Sequence, residues 1–390
     1  MDRERLATLG PQLVQYLDEI TADITRAKHR KWAGAYIRGL LLDGDRKSIA
    51  PIAKRVQDID NEEGDYEQSL QQFIDQGVWD DNAVRQRIRS WIVERVGSKG
   101  TLILSHMCCV KKGAHSVGVA RQRNPQTRQR DNCQIVSLLH YAVEDKLFCL
   151  DASLRLPAEW IQDPARCARA GIPDAATHMA GATLDQQLVN HQAGAFSGDV
   201  IAAAPPSDGS SRPALSGWQR RYCLGIDSEA RIVDPQDPES ELTVEALAHR
   251  NRRVFKQVKN SSHEGACYAK WRVQPTYQLV FGRPYKRRTT AENRRKAWLE
   301  SNGQCWLLAE LRGLDRAAAF YLSNHPANWS LPRLVQLVRM IQKGERANEE
   351  LNQNVGFDHF EGRRWRGWQH HVTLALAAYA FWVVYQSKSG

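Results

Sequence analysis

Apolar residues recur at three- and four-residue steps through the first quarter of the chain: Leu13, Leu17, Ile20 and Ile24, then Val84, Ile88, Trp91 and Ile92. That period marks helices with one buried face and predicts a helical N-terminal region up to about residue 97. The charged run from Asp58 to Asp65 reads as a turn between helices. From Thr101 the helical period stops. Thr101 to Leu104 is a short apolar run and Ser116 to Ala120 is Val-rich, so the two predict a hairpin of buried strands around the charged Lys111-Lys112-Gly113 turn. Further strands are expected at Gln134 to Tyr141, Lys146 to Leu150, Asp199 to Ala204 and Arg221 to Ile226, with a helix near Leu184 to His191. Such alternation suits a mixed sheet covered by helices. Residues 240–330 are polar with scattered strands at Cys267 to Val273 and Cys305 to Leu311, and helices return at Leu331 to Leu351 and Val372 to Tyr385.

Composition changes this picture in three places. A chain of 390 residues can bury a full core with two or three lobes. A net charge of +10 and a pI near 9.2 suit a polyanionic partner. Eight cysteines without paired spacing argue against a disulfide framework and fit a reducing cytosol. The Met-Asp-Arg-Glu-Arg start is followed by no apolar stretch, so no signal peptide is expected. The apolar run from Val372 to Tyr385 falls short of the roughly 20 residues a membrane span needs, and predicts a buried helix. The Pro- and Ser-rich tract from Ala203 to Pro213 reads as a loop.

The segment from Lys111 to Gln122 resembles the stretch that follows the first catalytic aspartate in IS701-family transposases, IS4-like members of the DDE superfamily. The resemblance continues through Asp131-Asn132-Cys133-Gln134, Asp151-Ala152-Ser153-Leu154, Cys167 to Pro173 and Gly225-Ile226-Asp227. It closes with Gly356 to Arg363 and Trp365-Arg366-Gly367-Trp368, so it spans most of the chain. It implies an α/β fold: an RNase H-like mixed sheet with flanking helices, an all-α N-terminal lobe and a β-rich insertion. The expected division is a helical domain at 1–97, the first part of the core at 98–239, the insertion at 240–330, and C-terminal helices at 331–390 that complete the core. The N-terminal lobe would help to bind transposon ends.

DDE strand transfer uses two divalent cations about 3.5 to 4 Å apart, and Mg²⁺ in that role requires several converging carboxylates. Where the family strand ends in Asp-Asp-Thr-Gly, this chain has Ser105, His106, Met107 and Cys108. Counting back from Gly225-Ile226-Asp227 puts Ala202 at the second aspartate, and Asp199 and Asp208 are the nearest acids that a gap would recruit. Counting back from Gly356-Phe357-Asp358-His359 puts the helical glutamate on Glu345, with Ile341, Gln342 and Asn352 where the family has Arg, Trp and Lys. Gly344 inside that helix costs roughly 1 kcal/mol relative to Ala. We expect the Mg²⁺ site to be lost, with no metal ligand set in its place.

His106, Cys108, Cys109 and Glu345 would rim the former cleft. They offer a weak two-ligand metal site, a Cys–His nucleophile, or no more than apolar filling of a decayed site. Basic runs with interleaved aromatics, at Tyr285-Lys286-Arg287-Arg288 and from Arg363 to His371, suit phosphate contact plus stacking, the alternative being a solvated face. Lys111, Lys112, Arg121, Arg123, Lys286, Arg287, Arg288, Arg363, Arg364 and Arg366 are the expected DNA contacts. Trp365 and Trp368 share one helix face, with at least one expected in the core, and the adjacent His370 and His371 make a poor metal pair. The sequence thus points to a transposase-derived DNA-binding protein without cleavage or strand-transfer activity, a regulator or nucleoprotein subunit. It would be cytoplasmic and associated with the nucleoid when DNA-bound, with a homodimer or larger complex as the assembly and no membrane partner. The alternatives are an enzyme that uses the old cleft on a small molecule and, third, an active transposase with displaced carboxylates.

Overall fold

The computed structural model describes residues 1–61, 63–124, 127, 129–179, 181–192, 194–202, 220–233, 241–259, 266–275, 305–312 and 317–386. Six helices come first: α1 (Arg3–Thr8), α2 (Gly10–Ile20), α3 (Ala27–Leu41), α4 (Ile49–Asp60), α5 (Tyr66–Gln76) and α6 (Asp81–Val96). Strands β1 (Thr101–Val110), β2 (Ala120–Arg123), β3 (Arg130–Val143) and β4 (Lys146–Arg155) follow. Then come α7 (Ala158–Ile161), α8 (Pro164–Ala170), α9 (Asp174–Thr177), α10 (Gly181–Asn190), β5 (Val200–Ala202), β6 (Tyr222–Ile226), β7 (Arg231–Val233), β8 (Glu241–Thr243) and α11 (Val244–Arg250). The remainder holds β9 (Lys256–Gln257), β10 (Cys267–Pro275), β11 (Cys305–Leu311), β12 (Ala317–Ser323), α12 (Leu331–Val355) and α13 (Trp365–Tyr385).

Residues 1–100, 106–179 and 346–390 form one compact unit, and residues 101–105 and 180–345 another. In the first unit, α13 is buried along nearly its whole length, from Gly367 to Val383, and packs against α3, α5, α6 and β4. An all-round apolar helix belongs inside a core, which is where the run from Val372 to Tyr385 was expected. The surrounding helices bury the predicted periodic face: Leu13 and Ile20 on α2, and Val84, Ile88, Trp91 and Ile92 on α6. Asp65 and Asp80 accept hydrogen bonds from the first-turn amides of α5 and α6, which fixes where those helices start. The Asp58 to Asp65 run divides differently from expectation, because α4 continues to Asp60 and is ended by Asn61 in the left-handed conformation.

β3 carries β4 antiparallel along Ile135↔Arg155 to Val143↔Lys146, and β2 along Ala120↔Cys133 to Arg123↔Arg130. β1 is its other neighbour. In the second unit, β1 runs parallel to β5 with Leu102↔Val200 and Leu104↔Ala202, and β5 runs parallel to β6. β12 joins β6 antiparallel, followed by β11 and β10, with β9 and β7 on β10 and β8 on β7. The orders β4-β3-β1 and β1-β5-β6, with three parallel strands from β1 onward, are those of an RNase H-like mixed sheet.

The expected opening hairpin is corrected. β1 does not stop at Leu104 but continues through Ser105, His106, Met107, Cys108 and Cys109 to Val110. Val117 and Val119 are buried in the turn that precedes β2, and β2 pairs with β3. Polar and soft residues at 105–109 hide the strand from an apolarity count, although the backbone ladder needs only extended residues with paired amides.

Candidate functional site

The positions to which the resemblance assigns carboxylates lie on β1, at the end of β5 and on α12. In the second unit Ala202 ends β5 opposite Leu104 of β1, and Ser105 comes next along β1. Ala202 and Ser105 are both buried. α12 crosses the same strand through Gly344, where a Cβ would stand 2.7 Å from Ile103 Cγ2 and 3.7 Å from Ser105 Cβ. That close approach is what the glycine is for, and it sets the neighbouring Glu345 on the exposed side of α12. The helix therefore lies across β1 where a third carboxylate would be delivered.

Asp199, the acid nearest to Ala202 on its amino side, is engaged elsewhere. It sits just before β5, three residues from Ala202, and its Oδ2 lies 2.9 Å from His325 Nε2. His325 Nδ1 is 2.7 Å from Ser323 Oγ, and the ring lies against Trp329, tilted by 38° with centroids 4.0 Å apart. Asp199 is thus tied into a buried polar chain at the amino end of β5, while the carboxyl end presents Ala202. Asp208 lies outside the described residues.

In the first unit His106 is buried, with its Nε2 3.4 Å from Arg155 NH1. The same guanidinium nitrogen lies 3.3 Å from Ser137 Oγ, and Asn348 of α12 reaches the His106 carbonyl at 3.4 Å. Asn348 Oδ1 accepts from His140 Nε2 at 2.8 Å. Around His106 these residues offer an imidazole, a guanidinium, a hydroxyl and an amide and no carboxylate, whereas Mg²⁺ is a hard ion that takes oxygen ligands. Among the described residues, no group of three or more His, Cys, Asp or Glu is placed to hold a metal ion.

The thiols beside His106 are pushed away from reactivity. Burial raises Cys109 to about 12. Hydrogen bonding to Cys133, together with burial, raises Cys108, and the same contact lowers Cys133. Met107 and Cys109 are buried and Cys108 is half-buried. A thiol nucleophile needs its thiolate at working pH, and neither Cys108 nor Cys109 offers one.

The predicted DNA contacts separate into two groups. Lys111 is committed to the fold, since its Nζ donates to the carbonyls of Asp358 at 2.6 Å and Phe360 at 2.8 Å. Lys112, Arg121, Arg123, Arg363, Arg364 and Arg366 are exposed. The Lys111 bonds hold the 111–113 turn against the 358–360 segment, and Asn132, paired with Arg121, donates to the Lys111 and Gly113 carbonyls at 2.7 and 3.0 Å. Exposed cations on the 112 turn, on β2 and around the start of α13 thus all belong to the first unit. Trp368 is buried and Trp365 half-buried, with ring centroids 5.9 Å apart. Lys286, Arg287 and Arg288 lie outside the described residues.

His370 and His371 diverge as expected. His370 bonds to the Ile74 carbonyl and stacks on Trp79, whereas His371 bonds to Tyr36 and to the Phe357 carbonyl. An ionic knot that sequence reasoning missed lies against α13. Buried Arg85 donates to Asp151 at 2.9 Å, Thr373 Oγ1 at 2.8 Å and Gln369 Oε1 at 2.6 Å, and Arg89 also reaches Asp151. The only advance signal was the Asp151-Ala152-Ser153-Leu154 motif itself. A groove of about 710 Å³ among α1 to α4 is lined by none of the predicted site residues.

No curated protein matches the chain. No helix among the described residues is long and apolar enough to cross a membrane. A protein-family model described as DDE superfamily endonuclease matches residues 19–199, from α2 to the residue before β5. Over that stretch the chain is similar to DDE superfamily endonucleases, in keeping with its RNase H-like strand order.

Proposed function

We propose that the chain is a transposase-derived, IS701-like protein that binds DNA without cleaving or joining it, and that it works as a regulator or as a subunit of a nucleoprotein complex. One observation supports this: at the positions that the resemblance assigns to the strand carboxylates, β1 carries Ser105 and His106, with the Arg155 guanidinium beside His106, and β5 ends in Ala202. Two-metal chemistry needs several converging carboxylates, and the described residues at these strand positions supply none. The exposed cations of the first unit supply the remaining activity, because phosphate contacts need only positive charge held in register.

The test is a pair of measurements on the full-length protein. With Mg²⁺ or Mn²⁺ and DNA carrying its cognate ends, no nicked or joined product is expected; cleavage that disappears in Glu345→Gln would overturn the inactive reading. Duplex binding should weaken with salt, log K falling about 0.9 per phosphate contact on log salt. Replacing Arg363, Arg364 and Arg366 with Gln should flatten the slope by up to about three contacts. Binding whose salt slope is unchanged in the triple variant would place these arginines on a merely solvated face.

A further inference from the structure

Helix α2 carries two faces of helical spacing. Leu13, Tyr16 and Ile20 are buried in the core of the first unit, while Gly10, Val14, Leu17 and Thr21 recur at steps of four, three and four along another side. These four line the groove among α1 to α4, together with Arg30, Gly34 and Arg38 of α3, which follow one another at one-turn steps. Gly34 keeps the groove open between the two helices, because a Cβ there would already stand 3.4 Å from Leu17 Cδ1. From Gly10 to Thr21 the stripe is about 16 Å long, at 1.5 Å per residue.

The groove exposes apolar surface. Val14 is 59% exposed and Ile59, at its α4 edge, 41%. Single exposed apolar residues need no explanation, but two that line one groove beside Leu6 and Leu17 form the kind of patch that marks a binding surface. Charge is uneven as well. α3 carries Lys28, Arg30, Lys31 and Arg38, is preceded by Arg26, and contains no acid. Cations in a first turn oppose the helix dipole, so helix stability does not account for them. Asp60 accepts from Arg38 at 2.6 and 3.0 Å, and Asp58 lies 3.4 Å from Arg3. Arg30 is held differently, since its NH1 donates to the Ile24 and Thr25 carbonyls at 2.7 and 3.2 Å, which fix the guanidinium without neutralising it. Among the described lining residues Asp18 is the one carboxylate.

We propose that this groove docks an amphipathic helix of a partner protein, with apolar side chains seated along Val14, Leu17 and Ile59 and acidic residues beside them facing Arg30 and Lys31. A helix that lies in a groove anchors through residues at i, i+4, i+7 and i+11, and the α2 stripe offers a ridge of the same spacing and length. That match favours a helix over an acyl chain, which has no such period. The apolar lining favours it over duplex DNA, whose phosphates would meet the cations and leave Val14 and Ile59 uncovered. None of the expected DNA contacts lines the groove, so the proposal stands whether or not the chain binds DNA.

The test uses the full-length protein and a fluorescein-labelled helical peptide of about 18 residues, long enough to span the groove, with Leu at i, i+4, i+7 and i+11 and Glu along one flank. Fluorescence polarisation should show saturable one-to-one binding. Val14→Gln and Arg30→Glu, both at exposed positions, should each weaken it about tenfold or more with far-UV circular dichroism unchanged. The same peptide with Lys in place of Glu should not bind, and excess duplex DNA or dodecanoate should leave the complex intact. A parent protein that binds neither peptide, or that binds the Lys peptide as tightly, would overturn the proposal without reference to any variant. Unchanged affinity in either variant would overturn it too, and displacement by DNA or dodecanoate would assign the groove to that ligand instead.

Discussion

At the scale of single residues, the first unit is fixed by charged and polar groups that are buried only because each is met. Arg85 is the strongest case, bonded to Asp151, Thr373, Gln369 and the Ala152 carbonyl, with Asp151 also reached by Arg89. Removing one partner of a buried pair leaves an uncompensated charge, whereas removing both leaves none. Asp151→Asn should therefore cost about 3–5 kcal/mol of unfolding free energy, and a triple variant with Arg85→Met, Arg89→Met and Asp151→Leu, which removes all three charges, should cost less than the single change. Urea unfolding of the three proteins checks this; a loss below about 1 kcal/mol in Asp151→Asn would mean that water or Asp81 compensates Arg85. The Cys108 and Cys109 thiols belong to the same scale with the opposite consequence, since Cys133 and burial raise the first and burial raises the second, which makes both poor nucleophiles.

At the scale of elements, α12 and β1 show what the sequence discloses and what it conceals. The helix at Leu331 to Leu351 was legible from its apolar period, as were β3, β4, β6, β10 and β11 from short apolar runs bounded by turns. The length of β1 was not, because Ser105, His106 and Cys108 interrupt the run, and the pairing of β12 with β6 was not, because no local pattern encodes a partner about a hundred residues away. Gly344 was counted only as a cost. In the fold it makes the helix crossing possible, since a Cβ there would meet the fully buried Ile103 at 2.7 Å. Gly344→Ala gains about 1 kcal/mol of helix propensity and incurs an overpacking penalty of about 1–3 kcal/mol. We expect a net loss, partly recovered by Ile103→Leu, which removes the offending methyl from the β-carbon. Denaturation midpoints decide it: a more stable Gly344→Ala would show that α12 shifts freely on β1, and that the glycine does not set the crossing.

At the scale of the whole molecule, a mixed sheet with flanking helices was legible from alternation and from the family resemblance, whereas the strand order and the surroundings of the candidate site residues were not. That Arg155 stands beside His106 depends on β4 returning along β3, which register determines and composition does not. The same burial that closes the first unit makes it acid-sensitive. His140, His370 and His371 are each held down to about 4 by burial, against an ordinary value of 6.5. The unfolded chain takes up protons at these sites below pH 6.5 and the folded chain does not until about pH 4, so unfolding is coupled to proton uptake within that window. Their stabilising contribution is complete above pH 6.5 and is lost as pH falls toward 4, at a limit of about 1.4 kcal/mol per pH unit for each histidine. Histidines that titrate alike in both states add nothing, and most carboxylates have yet to protonate between pH 6.5 and 5. Urea unfolding at pH 7.5, 6.5, 5.5 and 5.0 should therefore show little change across the first interval and a progressive loss across the others, with these three rings taking up nearly three protons per molecule unfolded near pH 5 and His29 and His359, also lowered, adding to that uptake. Stability that is flat from pH 7.5 to 5.0 would mean that these rings accept protons without leaving the core.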